Sequence, residues 1–135
     1  MKKKIKLGNL NTKRNFNFIG DIVNGFELAI KSNKKTNGEV INLGSNYEIS
    51  ILKLTDLILK ITNRQIIIKQ DKIRVRPKDS EVLRLTADNF KAKKLLNWSP
   101  TIKNDKTFIK ALKITIRWFE QNKYNYLEQS NDYII

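Results

Sequence analysis

Apolar residues fall along the chain in two patterns, short consecutive runs and positions spaced by three and four, and their alternation predicts strands interleaved with helices. Residues 16–19 form a short β-prone stretch ending at Gly20, after which Asp21 is placed to cap a helix. In that helix Ile22, Val23, Phe26, Ala29 and Ile30 recur at the spacing of a buried stripe, and residues 32–38 make a turn-rich loop. Residues 40–43 read as a short buried strand ended by Gly44 and Ser45. Ser50 is a candidate N-cap for a helix over residues 51–61, where Ile51, Leu54, Leu57, Ile58 and Ile61 share one face.

Three consecutive Ile within residues 65–70 predict a strand, and residues 71–79 are a charged loop that Pro77 keeps irregular. Residues 83–85 suit a short strand, Asp88 a cap, and residues 89–96 a short helix closed by Asn97, a residue that tolerates the left-handed conformation. Trp98, Ser99 and Pro100 mark a turn. The last stripe, Phe108, Ala111, Leu112, Thr115 and Phe119, predicts a helix over residues 107–121; residues 123–135 form a polar tail. The first ten residues carry no clear periodicity, and there is no internal repeat or linker. The class expected is α/β.

At 135 residues and 15.8 kDa the chain is one domain in size, and 40% hydrophobic with 30% charged residues suits a folded globule. No apolar run is long enough to cross a bilayer and the basic start lacks the apolar stretch of a signal peptide, so a soluble, cytoplasmic protein is expected. The absence of Cys and His removes disulfides, thiolate chemistry and the commonest metal ligand and general base. A net charge of +14 raises nucleic-acid binding as a hypothesis. Composition weakens it: only six of the 27 basic residues are Arg, the lysines are scattered, and abundant Lys, Ile and Asn suit an AT-rich genome.

No glycine-rich phosphate loop is present, and Gly44 followed by Ser45 is too little to make one. Arg14 precedes a β-prone segment and Arg76 stands in a Pro-containing loop. A guanidinium is a planar, permanently charged fork that matches phosphate oxygens, so arginines from two loops suit a diphosphate; each also reads as a solvated surface cation. Asp79 is a loop cap or a ligand. Trp98 and Trp118 read as core or half-buried packing residues rather than stacking platforms.

The run LGNLNTKRNFNFIGDIVNGF over residues 7–26 resembles the LGN-x-x-x-x-RDF-x-[FY]-x-x-D pattern of NAD-dependent nucleotide-sugar epimerases and dehydratases, the extended short-chain dehydrogenases. EVINLGS at 39–45 with EISIL at 48–52, RVRPKDSEV at 74–82, TADNFKAKKLLNWSP at 86–100 and ALKITIRWF at 111–119 are similar to the later patterns of that family, in the same order. The resemblance covers only the family's C-terminal part: the glycine-rich NAD fingerprint, the catalytic Ser or Thr and the Y-x-x-x-K are absent. It implies an α/β C-terminal substrate-binding lobe, including the last strand and helices of a Rossmann-type sheet, over residues 1–122, with 123–135 as tail.

By the same resemblance Arg14 and Arg76 contact the nucleotide diphosphate and Asp79 holds ribose hydroxyls; no catalytic, cofactor or metal residue is carried over. Asn15 stands where the family has Asp, and if that Asp pairs with the arginine, the aim of Arg14 changes. Phe90 and Asn97 are further departures. The function implied is the nucleotide-sugar-binding portion of a 4,6-dehydratase acting on GDP-mannose or a UDP-N-acetylhexosamine, inactive alone, with a UDP-sugar 4-epimerase as the rival. A small basic nucleic-acid-binding protein and a non-functional gene remnant are the other readings. NAD or NADP belongs to the full-length family and is not expected on this chain. Expected partners are a UDP- or GDP-sugar and a separate N-terminal Rossmann half or a second copy, with no membrane and no specific nucleic acid.

Overall fold

Extended runs of two to four residues, too short to show a period in sequence, build the framework of the protein; the computed structural model describes residues 3–32, 36–77 and 80–122. β1 (Lys4–Leu7) and β4 (Ile67–Gln70) run parallel, with Lys4 opposite Ile67 and Leu7 opposite Gln70. The Ile-rich run supplies β4 as expected. β1 escapes detection because it offers only Ile5 and Leu7 as apolar positions. A second sheet centres on β2 (Lys13–Asn15), antiparallel to β3 (Glu48–Ser50) and parallel to β5 (Arg84–Leu85).

The strand therefore precedes the stretch at residues 16–19, which instead leads into α1 (Ile19–Ile30) with Phe18 at the N-cap. Asp21 is not the cap. It lies inside the first turn and is buried, because its carboxylate accepts from the Thr101 backbone N–H at 2.8 Å and the Thr101 hydroxyl at 2.5 Å. Its own backbone carbonyl accepts the Trp98 indole N–H at 2.8 Å. One turn of α1 is thus bolted to the turn at residues 98–101.

α2 (Ile51–Ile61) begins where expected, with the Ser50 hydroxyl accepting from the Lys53 N–H. α3 (Phe90–Leu96) ends on Asn97 at φ 53°, the left-handed close expected of an Asn. Asn89 occupies the N-cap position while the Asp88 carboxylate accepts the Phe90 N–H at 2.8 Å, so Asp88 caps from one residue further out. α4 (Asp105–Gln121) starts two residues before the apolar stripe suggests, because Asn104 and Thr107 exchange side-chain and backbone hydrogen bonds as a capping box.

Two apolar clusters form the core, Ile49 with Ile102, Phe108 and Ala111, and Ala92 with Leu96 and Trp98. Trp98 is fully buried, as a packing residue should be, whereas Trp118 is about half exposed. Two expectations fail in part. Residues 40–43 form no strand; Val40 is 80% exposed, while Ile41 and Leu43 pack against the Trp98 cluster. On α1 the stripe faces solvent in part, with Val23, Phe26 and Ile30 exposed while Ile22 and Ala29 are half buried. A strand needs a hydrogen-bonded neighbour, and no strand lies beside residues 40–43 among the described residues. Among the described residues no helix is long and apolar enough to cross a membrane. The tail from residue 123 lies outside the described residues.

Replacing Asp21 with Ala leaves the Thr101 donors without their carboxylate and should lower unfolding stability by about 2 to 3 kcal/mol. Asp56→Ala, on the exposed face of α2, should change it by less than about 0.5 kcal/mol. Urea melts followed by circular dichroism measure both; equal losses would contradict the lock.

Candidate functional site

Arg14 owes its position to the middle strand of the second sheet, with Ile49 opposite it on one side and Leu85 on the other. Successive strand residues point to opposite faces, so Arg14 and Asn15 diverge. The Asn15 amide donates to the Ser45 hydroxyl at 3.0 Å and the Tyr47 carbonyl at 3.3 Å, and its oxygen accepts the Ser45 N–H at 3.1 Å. Asn15 fixes the backbone and does not touch the guanidinium. The acid facing Arg14 is Glu81, whose Oε1 lies 3.7 Å from Arg14 Nη2, while Nη1 donates to the Lys13 carbonyl at 2.8 Å.

Arg76 arrives by a different route. The chain leaves β4 through Asp71, whose N–H donates to the Leu7 carbonyl at 2.7 Å, and makes one 3₁₀ turn over Lys72–Arg74. Gly8 presses against this turn: a Cβ there would stand 2.7 Å from the Arg74 carbonyl oxygen, so the close approach requires glycine. The loops following β1 and β4 are thereby clamped together at the C-terminal ends of the parallel pair, the end at which open α/β sheets usually hold ligands. There Arg76, Glu81, Asn9, Val75 and Leu83 line a cleft of about 460 Å³. The Lys13 N–H donates to the Leu83 carbonyl at 2.8 Å, which ties this cleft to the strand bearing Arg14.

Glu81 thus faces Arg14 at 3.7 Å and lines one cleft with Arg76. Asp79 lies outside the described residues. Glu81 went unnoticed in the sequence because only its place in the loop of Arg76, just before Val82, distinguishes it. The neighbouring arginines are engaged elsewhere: Arg74 Nε lies 3.7 Å from Asp71, and Arg84 grips Glu48 through Nε and Nη2. That grip, with the Thr86 hydroxyl on the same carboxylate, holds Glu48 below the ordinary carboxylate range. Among the described residues Arg76 has no ion-pair partner.

A second polar cluster joins Tyr47, Asp105 and Lys53. The Tyr47 hydroxyl donates to Asp105 Oδ1 at 2.5 Å and the Lys53 ammonium to Oδ2 at 2.7 Å. Burial, and then the bond to Asp105, push the Tyr47 phenol up to about 12, away from the near-neutral value useful in proton transfer. The Lys53 and Tyr47 hydrogen bonds hold Asp105 below its usual range, and the cluster fastens β3 and α2 to the start of α4.

Among the described residues no helix opens on a glycine-rich turn: the N-caps are Phe18, Ser50, Asn89 and Asn104. The residues present therefore do not fit a dinucleotide pyrophosphate. Nor do the described residues contain a cluster of acids that could hold a metal ion.

A raised Tyr47 pKa favours the folded state below about pH 10, and that contribution disappears as pH rises through about 12. Absorbance near 295 nm should show one of the four tyrosines ionising near pH 12 and missing in Tyr47→Phe. Ionisation of all four near pH 10 would contradict the cluster.

The family model described as GDP-mannose 4,6 dehydratase matches residues 1–110. An uncharacterized protein of Methanocaldococcus jannaschii is 34% identical over 113 residues, 84% of this chain and 32% of that protein. UDP-glucuronate 4-epimerase of Thermodesulfobacterium geofontis is 34% identical over 110 residues, 81% of this chain and 31% of the enzyme. Among solved structures, UDP-glucuronic acid 4-epimerase of Bacillus cereus in complex with UDP-glucuronic acid and NAD superposes with a TM-score of 0.62 at 28% identity, covering 83% of this chain and 34% of that one. The chain spans about a third of the length of the relatives it matches.

Proposed function

Given that this chain belongs to the GDP-mannose 4,6-dehydratase family of NAD-dependent epimerases and dehydratases, we propose that it is the nucleotide-sugar-binding lobe of a cytoplasmic sugar-nucleotide 4,6-dehydratase. The observation that carries this reading is that Glu81 faces Arg14 of β2 at 3.7 Å and lines, with Arg76, the cleft beyond the C-terminal ends of β1 and β4. Two permanently charged forks delivered by separate, mutually braced loops suit the two phosphates of a UDP- or GDP-sugar. Asp79, in the same loop, or Glu81 supplies the acid for ribose hydroxyls. A UDP-sugar 4-epimerase is the second reading, favoured by the epimerase relatives; both share this clamp and differ in the steps after hydride removal.

The lobe works with a partner that brings NAD and the acid/base residues, a Rossmann half that the remaining two-thirds of its relatives' length can accommodate. The unpaired residues 40–43 and the exposed Val23, Phe26 and Ile30 of α1 are the surface for that half.

The 135-residue chain alone, given NAD and GDP-mannose or a UDP-sugar, should show no turnover, because the cofactor cradle and the proton-transfer pair are missing from it. Product detected by chromatography would contradict the assignment. With the N-terminal half of a relative restored, Arg14→Lys or Arg76→Lys should weaken nucleotide-sugar binding about tenfold to a hundredfold, since an ammonium cannot reproduce a two-pronged contact. Lys110→Gln, on exposed α4, should leave calorimetric affinity unchanged. Similar small losses at all three positions would mean that only the overall charge attracts the ligand.

A further inference from the structure

Glu81 occupies an unusual place for an acid. Its side chain is only 10% exposed, it faces Arg14 at 3.7 Å, and it lines the cleft that Arg76 enters. The segment bearing it is pinned, since the Leu83 carbonyl two residues on accepts the Lys13 N–H at 2.8 Å. A carboxylate presents two oxygens to a guanidinium much as a phosphate does. One oxygen of Glu81 therefore already stands beside Nη2 of Arg14, where an incoming phosphate would meet it.

Resting on the diphosphate reading above, we propose that Glu81 is the clamp's own counter-anion: it holds Arg14 in the empty site and screens the site against small inorganic anions. Any anion approaching Arg14 must displace this carboxylate or lie beside it. A small inorganic anion brings charge alone and meets the repulsion of Glu81 beside Nη2. A ligand with further groups to bind gains contacts that offset the displacement, so selection against bare phosphate and pyrophosphate comes from a repulsive element inside the site. Glu81 is a positioning and selectivity residue, acting through Arg14.

The test is calorimetric titration of the full 135-residue chain with inorganic pyrophosphate at low ionic strength. Glu81→Gln keeps the shape and removes the charge, so it should bind pyrophosphate about three- to tenfold more tightly than the unaltered chain. Glu81→Asp keeps the charge and should stay near the unaltered value. Glu39→Gln removes a carboxylate that is paired with Lys91 instead, and should show no gain. Thermal melts confirm that each variant is folded.

Unchanged or weaker binding in Glu81→Gln, with Arg14→Lys still lowering affinity, overturns the screening role and leaves the clamp standing. An equal gain in Glu39→Gln overturns it as a net-charge effect. No difference between Arg14→Lys and the unaltered chain, or no pyrophosphate binding to any of them, overturns the clamp and this proposal with it.

Discussion

The hydrogen bonds between Asn15 and Ser45 fix the geometry on which the candidate site rests. Asn15 accepts from the Ser45 N–H and donates to its hydroxyl, and that hydroxyl donates onward to the Phe16 carbonyl at 3.1 Å. Residues 41–47 form no regular structure, so this exchange, with Asn17 on the Leu43 carbonyl and the Ser45 N–H, replaces the ladder a sheet would supply. Asn89 completes it by donating to the Gly44 carbonyl at 2.6 Å, where a Cβ would stand 2.5 Å from that of Ala87. An aspartate at position 15 could accept from Ser45 but could not donate to the Tyr47 carbonyl. Because Asn15 is committed to one face of β2, Arg14 is committed to the other.

Charge is distributed with similar selectivity. A net charge of +14 suggests a surface of loose cations, yet several of the acids are placed on particular basic groups. Glu48 takes Arg84, Asp71 takes Arg74, Asp105 takes Lys53 and Glu39 takes Lys91. Most of these pairs are solvent-exposed and contribute little to stability individually. They engage Arg74 and Arg84 and leave Arg76 without an ion-pair partner among the described residues. Among the described residues no buried side-chain polar atom lacks a partner, so the cleft is built on a satisfied scaffold.

Length scale decides how much of the fold is legible in the sequence. α2, α3 and α4 each carry several apolar positions and a side-chain or left-handed terminus, so their periodicity and end signals agree. β1 and β2 have four residues or fewer, and nothing local distinguishes them from loops, whereas β5 falls within the residues 83–85 expected as a short strand. Within residues 40–43 the alternation is legible in part, since Ile41 and Leu43 pack against the Trp98 cluster, whereas Val40 and the outer stripe of α1, Val23, Phe26 and Ile30, are exposed. Arg14 and Arg76 are legible as types of residue suited to phosphate, and the resemblance pairs them. Glu81 is not, because its importance arises from a contact between positions 67 residues apart.

The claim that two particular arginines form the binding site is tested most directly by nuclear magnetic resonance of the guanidinium Nε–H groups. Six arginines give at most six signals, which single substitutions assign. During titration with GDP or UDP, the account predicts that Arg14 and Arg76 shift together and saturate at one equivalent, while Arg64, Arg74, Arg84 and Arg117 stay in place. Comparable, unsaturating shifts of all six would show that the nucleotide is held by the general positive field and that the two loops form no site.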